Sequence, residues 1–378
     1  MLFKNGTVLT GNFTFHRLDV RVENGIIAEM GHGLSGGDEV DITDKYLLPG
    51  LIDEHLHGGG GYSVRDLSEE SLAIIAEFEA TNGVTSIVPT LSSYPKDITL
   101  KAIGCTKKAM GRQGGADILG LHLEGPFLCE KYRGAHETQY LRQPDSELLK
   151  EYCKAADGII RLITIAPELN RACEVIATAK ENGITVGIGH SNATAAEAAA
   201  AIKAGATVAI HTFNAMRPLH HRNEGILEEV LTNDAVHCEV IGDFGHVSSG
   251  IVKLIFKCKG ENRVNFVSDS IAAAGLPDGE YTAEEHTCTV KNGISYFENG
   301  TINGSASTIL RGVKNAVSIG IPLESAVKAA SHNPAVSLGV DGERGSIAPG
   351  KRADIFIADK ELNVLKTYVF GHLCYGQG

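Results

Sequence analysis

The chain has 378 residues, 43% of them hydrophobic, and a formal net charge of -12. That length exceeds what one small core organises and calls for a large barrel or two sub-domains. The acidic balance argues against a general nucleic-acid surface while leaving room for a local basic pocket that takes an anionic small molecule. No apolar run approaches the ~20 residues that span a bilayer, so no membrane segment is expected. The eight cysteines (Cys105, Cys129, Cys153, Cys173, Cys238, Cys258, Cys288 and Cys374) are scattered with no CxxC pair. Together with a strand-like N-terminus lacking signal-peptide grammar, this is the cysteine usage of a cytoplasmic enzyme.

Residues 1–48 read as short strands with turns, with Asn-Gly twice as hairpin punctuation. From Leu51 the pattern changes to short apolar runs alternating with helical segments. The runs are the one leading into His55, then "GVTSIVPT", "DILGLHLEGP", "IIRLITIAPE", "ITVGIGHS", "TVAIHTFNA", "HCEVIGD" and "RVNFVSDS". Eight is the number that closes a parallel barrel with helices outside. Helices are expected over "SEESLAIIAEFEATNG", "LNRACEVIATAKENG", "TAAEAAAAIKAGA" and "LESAVKAASHNPA". The third carries a Thr194 to Glu197 capping-box pattern, and Gly183 and Gly205 stand where helix C-termini would end. After Ala335 strand grammar returns. An open doubly wound sheet fits the same alternation, but the two β-rich ends favour a barrel interrupting a small β-domain. The expected fold is therefore α/β, a (β/α)8 TIM-like barrel over residues 49–340, with a β-sandwich built from residues 1–48 and 341–378.

Nearly every expected strand finishes in a residue able to bind a metal or move a proton. These endings are His55-Leu56-His57, His122-Leu123-Glu124, Gly189-His190-Ser191, His211-Thr212-Phe213-Asn214 and Ser268-Asp269-Ser270. C-terminal strand ends are where barrel enzymes assemble their sites. His55 and His57, two apart in a strand, face the same side and can bring two imidazoles to one cation. Glu124 offers a hard oxygen ligand, and His190 and His211 add nitrogen ligands from other strands. The glycines Gly58 to Gly61 would let the backbone turn away and leave the metal's open face uncovered. Asp269, a lone acid between two serines, suits metal-assisted hydrolysis: it can orient a water, take its proton and return it to a leaving nitrogen. One or two divalent ions are the natural occupants, with zinc or iron foremost and manganese or cobalt also compatible with His and Glu ligands.

With these residues in view, the chain resembles the amidohydrolase superfamily and, within it, the N-acetylglucosamine-6-phosphate deacetylases. The resemblance runs through "PGLIDEHLHG", "HLEGPFL", "RGAHE", "GHSNAT", "HTFNAMRPLHHR", "GHV", "VSDSIAAAGLPDGEY" and "GSIAPGKRADIFIAD". It implies removal of the N-acetyl group of N-acetylglucosamine 6-phosphate, giving glucosamine 6-phosphate and acetate. By position it makes Glu124, His190 and His211 the core metal ligands, His55 and His57 the support for a second ion, and Asp269 the general base and acid at the metal. It gives His136 a share in polarising the acetamide oxygen. Substrate contacts are implied for Ala135, His136, Asn214, Ala215, Ile302 and Gly304. Arg222 and His246 would hold the phosphate, Arg222 reaching across the interface of a homodimer. Many superfamily members bridge two metals through a carboxylated lysine on strand four. "IIRLITIAPE" has none, so Glu124 is left to supply any bridging carboxylate. A cyclic-amide hydrolase of the dihydroorotase or hydantoinase type is the enzymatic alternative.

Overall fold

Each of the eight apolar runs becomes one parallel strand of a central barrel. The strands are β1 (Leu51–Leu56), β2 (Val84–Leu91), β3 (Leu121–Glu124), β4 (Ile160–Ile165), β5 (Thr185–Ile188), β6 (Val208–Ala209), β7 (His237–Ile241) and β8 (Val264–Val267). Each pairs in parallel with the next. The ring closes through a bond just beyond the last strand, where the Asp269 N–H donates to the His55 carbonyl at 2.9 Å. The architecture is that of a computed structural model, which describes residues 1–283 and 286–376. The last two residues of the expected C-terminal β segment thus lie outside the described residues.

The helices pack outside the strands because their apolar stripes match the outward faces of the barrel. α1 (Glu69–Thr81) starts at Ser68, whose side chain accepts the Ser71 N–H. α2 (Lys96–Ala109), α3 (Ser146–Ala156) and α4 (Ala172–Glu181) follow. α5 (Ala195–Ala204) has the expected capping box between Thr194 and Glu197 and ends at Gly205 with φ of 135°. α6 (Ile226–Thr232), α7 (Ser249–Lys259) and α8 (Ile309–Ser318) complete the ring. The single helix expected over "LESAVKAASHNPA" is instead two, α9 (Leu323–Ala329) and α10 (His332–Ser337). Pro334, with no N–H to give a preceding turn, is tolerated only near the start of a new helix. α10 then packs Ala335 and Leu338 on Ile52 and Val88, plugging the lower end of the barrel with hydrocarbon.

The chain ends come together as anticipated. Tyr46–Pro49 pairs antiparallel with Ile355–Ala358, so N- and C-terminal strands share one six-stranded sheet. A four-stranded sheet of Leu2–Lys4, Asp19–Glu23, Ile26–Gly31 and Glu39–Asp41 faces it. Phe3, Val20 and Ile27 from one sheet and Val8, Leu47, Ile355 and Tyr368 from the other share an apolar core, with Phe3 edge-on to Tyr368 at 5.2 Å.

Between β8 and α8 the chain makes an excursion that the sequence pattern did not signal. Gly279–Ala283, His286–Lys291, Ile294–Phe297 and Ile302–Ser305 form a four-stranded antiparallel sheet. Its last strand is knitted to the end of β8: the Ser305 N–H donates to the Asp269 carbonyl at 2.8 Å and the Ile271 N–H to the Ser305 carbonyl at 2.8 Å. This sheet overhangs the end of the barrel where the polar strand ends gather.

Candidate metal centre and substrate cavity

Several strand ends differ from expectation in a way that matters for the site. β5 stops at Ile188 and β6 at Ala209, so His190 and His211 sit in turns beyond the sheet, as do His57 and Asp269 beyond β1 and β8. His190, His211, Phe213, Ala215 and Asp269 all have positive φ, between 28° and 81°. Such backbone costs on the order of 1–3 kcal/mol per residue and persists only where surrounding bonds over-determine it. At Asp269 one such bond comes from the overhanging sheet, and Gly304 makes it possible: a Cβ there would lie 2.8 Å from the Asp269 carbonyl oxygen.

The four glycines after His57 divide their work. Gly58 is needed for close approach, since a Cβ would meet the Tyr62 carbonyl oxygen at 2.4 Å and the Ala272 nitrogen at 2.8 Å. Gly60 and Gly61, with φ of 61° and 91°, make the turn of a small ribbon pairing Gly58–Gly59 with Tyr62–Ser63. The segment thus docks against residues 270–274 rather than swinging freely away.

Glu124 is the hub of the centre. Its Oε1 lies 3.0 Å from His190 Nε2, 3.1 Å from His211 Nε2 and 3.5 Å from His55 Nε2. Its Oε2 lies 3.3 Å from both His57 Nε2 and His136 Nε2. Asp269 Oδ1 stands 3.2 Å from His57 Nε2 and 3.7 Å from His55 Nε2. Every expected metal-facing residue is therefore in one cluster, and all but half-buried His57 are buried.

The outer hydrogen bonds decide what each imidazole presents. His55 Nδ1 faces a Glu239 carboxylate oxygen at 2.9 Å, and His190 Nδ1 faces the Tyr132 carbonyl at 2.9 Å. Both partners only accept, so each Nδ1 donates, and each Nε2 turns either a lone pair or a second proton toward Glu124. Positive charge belongs at that point in either case, as a cation or as imidazolium protons. The His55 Nε2, buried without a hydrogen-bond partner among the described residues, fits the first. Burial pushes the His57 imidazole down, yet its bonds to Asp269 and Glu124 outweigh this and bring it to about 9. Asp269 is held below the usual carboxylate range: burial raises it, but the His57 bond and the neighbouring imidazole charges prevail.

His136 is different in kind. The Ser93 N–H donates to its Nδ1 at 3.1 Å, so the proton resides on Nε2 and points inward. Burial drives this imidazole down to about 4, keeping it neutral. Among the described residues three overlapping groups could hold a metal: His55, Glu124 and His211; His55, His57 and Asp269; and Glu124, His136 and His190. In the third, His136 is already committed as a donor, while Glu124 Oε1 lies 3.0 Å from His190 Nε2 and 3.1 Å from His211 Nε2, the two nitrogens 3.0 Å apart. No lysine stands on β4, and Glu124 is the carboxylate placed between the two halves, its Oε1 near His55, His190 and His211 and its Oε2 near His57 and His136.

The cluster opens into a cavity of about 1090 Å³ whose lining includes Ala135, Asn214, Ala215, His246, Ile302 and Gly304. At its far side the Asp243 carboxylate accepts the His246 Nδ1–H at 2.8 Å and the His246 backbone N–H at 2.9 Å, leaving His246 Nε2 buried and unpartnered among the described residues. Arg222 is the exception. It is exposed on the 217–225 loop and does not line the cavity of its own chain.

Four supporting groups escaped the sequence reading: Glu239, Ser93, the Tyr132 carbonyl and Asp243. Two carried a signal, Glu239 as an acid in the middle of the apolar run "HCEVIGD" and Asp243 as the acid that ends it, three residues before His246. His122 had been grouped with Glu124 at the end of its strand. It instead bonds Thr90 Oγ1 through Nδ1 at 3.1 Å and Thr164 Oγ1 through Nε2 at 2.8 Å, with its ring edge-on to His55.

Comparison with known proteins bears on this geometry. Residues 46–374 match the model of the Amidohydrolase family. An N-acetylglucosamine-6-phosphate deacetylase from Vibrio furnissii is 36% identical over 93% of this chain and 89% of its own length. An N-acetylgalactosamine-6-phosphate deacetylase from Escherichia coli is 33% identical over 94% of each. Among solved structures, N-acetylglucosamine-6-phosphate deacetylase from Pasteurella multocida superposes with a TM-score of 0.93 at 33% identity, over 98% of both chains. A D-hydantoinase, at 15% identity and a TM-score of 0.67 over 99% of this chain and 95% of its own, shares the fold alone.

Proposed function

The chain belongs to the amidohydrolase family, among the N-acetylglucosamine-6-phosphate deacetylases, and from that premise we propose that it hydrolyses the N-acetyl amide of N-acetyl-D-glucosamine 6-phosphate to D-glucosamine 6-phosphate and acetate. The observation that carries the reading is the meeting, in one cavity, of the Glu124-centred imidazoles, the Asp269 carboxylate and the inward Nε2–H of His136.

In this reading Glu124, His190 and His211 would hold one divalent ion, and His55 and His57 with Asp269 would support a second where two are bound, zinc or iron foremost. When bound, the metal supplies Lewis acidity and a water made acidic enough to react near neutrality. The protein groups do the rest. Asp269 accepts the proton of the attacking water, and His136 Nε2–H donates to the carbonyl oxygen as charge develops there. Asp269 then delivers the proton to nitrogen as the C–N bond breaks, so amine and acetate leave in balance. Ala135, Asn214, Ala215, Ile302 and Gly304 shape the sugar's place. The enzyme is assigned to the cytoplasm on its cysteine usage, eight scattered thiols that are all free.

The decisive test is acetate release from N-acetylglucosamine 6-phosphate by the metal-loaded protein, set beside the galactosamine epimer, unphosphorylated N-acetylglucosamine and a hydantoin. Fastest release from the first supports the assignment. Preference for the epimer would move it to the galactosamine branch represented by the Escherichia coli relative, and turnover of the hydantoin alone would reject it.

His246 is assigned to the phosphate. Burial alone would lower its imidazole, but the bond to Asp243 and that residue's charge raise it above its ordinary value. A raised folded value means the cation is fully present below ~6.5, the unpaired value, and is lost as pH rises through the higher folded one. KM for the phosphorylated sugar is therefore expected to stay flat below neutrality and climb on the alkaline side. In Asp243→Asn the climb should begin at lower pH, and superimposable KM profiles would remove His246 from this role.

Arg222 is assigned to the neighbouring site of a homodimer, since its own cavity does not include it. Mixing Arg222→Ala with Asp269→Asn, each poorly active alone, is expected to restore activity through hybrid sites that pair the intact Asp269 of one subunit with the intact Arg222 of the other. Subunit exchange with no recovery would place Arg222 elsewhere.

A further inference from the structure

β7 contributes no ligand to the centre, yet at its middle stands Glu239, fully buried inside the barrel. A carboxylate here is costly unless hydrogen-bonded and charge-compensated. One of its oxygens, Oε2, accepts from two sources. The first is the Nδ1–H of His55 at 2.9 Å, and the second is the backbone N–H of His211 at 3.0 Å. The same residue's backbone carbonyl accepts the next N–H along, that of Thr212, at 2.9 Å.

In the two-ion reading these contacts reach both halves of the cluster. His55 groups with His57 and Asp269, and also with Glu124 and His211, while His211 stands against His190. Each contact removes a specific freedom. On His55 it fixes the tautomer and ring direction, so that Nε2 is the atom facing Glu124 and Asp269. On His211 it holds a turn whose φ of 28° is strained for a histidine, and two consecutive N–H groups of that turn are captured by Glu239 alone. Relaxation of the turn would swing the imidazole off the axis it shares with His190.

We propose that Glu239 is a positioning residue for the metal centre, a single carboxylate oxygen that orients one imidazole from each half and so makes the two halves one preorganised site. The inference rests on the reading of His55 and His211 as metal ligands. It adds a residue that touches neither metal nor substrate and acts through both histidines. Outer partners of this kind commonly change metal affinity by about 10–100-fold.

The test uses Co(II) as the probe with the native chain and Glu239→Gln, both stripped of metal. An amide oxygen can still accept both N–H groups but lacks the negative charge that strengthens the His55 contact and makes its Nε2 a better ligand. Affinity by chelator competition and the visible absorption of bound Co(II) are read together, with circular dichroism and melting of the metal-free forms as the fold check. The expected result is Co(II) affinity lowered about 10–100-fold, with an altered visible spectrum and an unchanged metal-free fold. Affinity within about twofold of native, with the native spectrum, would overturn the proposal. Should Glu239→Gln not fold, nitrogen-15 spectra of the zinc-loaded native chain decide instead. A His55 ring protonated at Nδ1 supports the orienting contact, and one unprotonated there overturns it. A native chain that takes up no Co(II) would overturn the metal reading itself, and the inference with it.

Discussion

Replacing Asp269 with asparagine is expected to lower acetate release from N-acetylglucosamine 6-phosphate by about 10³-fold in kcat, within the 10²–10⁴ that a positioned acid or base contributes, while the protein keeps the ion at Glu124, His190 and His211 and its KM changes little. The side-chain shape is conserved, so the bond network that holds the turn stays available: the Ser305 N–H to the Asp269 carbonyl and the Asp269 N–H to the His55 carbonyl are both backbone bonds. What is lost is a site that can take a proton and give it back. Glu124, His190 and His211 are untouched, so the ion they would hold should stay, and any loss is confined to the ion that Asp269 would share with His55 and His57. The check is steady-state kinetics with metal analysis on the same preparation. A fall below about tenfold would move proton transfer to another group, and an equal loss of metal would show that Asp269 acts chiefly as a ligand.

Glu124→Gln should strike the centre itself. Among the described residues Glu124 is the one carboxylate within 3.5 Å of five imidazoles. Burial raises its carboxyl, but the His136 and His55 contacts overcome this and hold it well below the usual range. An amide of the same shape cannot supply that negative charge, and its NH₂ group must face either an imidazole lone pair or a proton. Metal bound per chain is expected to drop to near zero at stoichiometric supply. Activity should fall by about 10³–10⁴, the equivalent of the several kcal/mol of charge stabilisation a bound metal provides. Metal analysis after gel filtration, followed by kinetics at rising metal concentration, checks both. Full occupancy in the variant would contradict the hub role. Unlike Asp269→Asn, this variant should recover part of its rate when metal is supplied in excess.

The folding pattern was legible where local chemistry acts alone. The Thr194–Glu197 box at α5 and the glycines at positions 183 and 205 follow from which groups can satisfy the ends of a helix. Eight apolar runs counted off eight strands because each buries side chains on both faces. The single expected helix at residues 323–335 failed because periodicity does not register how a proline divides a segment. The sheet of residues 279–305 was missed for a related reason: its strands are short, and several face a cavity rather than an apolar core.

What the sequence by itself determined is which polar groups gather at the rim, and their order: His55, His57, Glu124, His190, His211 and Asp269, each just within or just past an apolar run. That much follows from a parallel barrel delivering every C-terminal strand end to one rim. Only the tertiary structure decided what each group presents there. The Glu239 carboxylate and the Tyr132 carbonyl direct the nitrogens of His55 and His190, and the Ser93 N–H makes His136 a donor rather than a ligand. The left-handed turns at His190, His211 and Asp269 aim their side chains inward. These settings depend on contacts between residues 43 to 184 positions apart, and a tautomer or a strained turn is chosen by the partner across the fold, which no local pattern encodes.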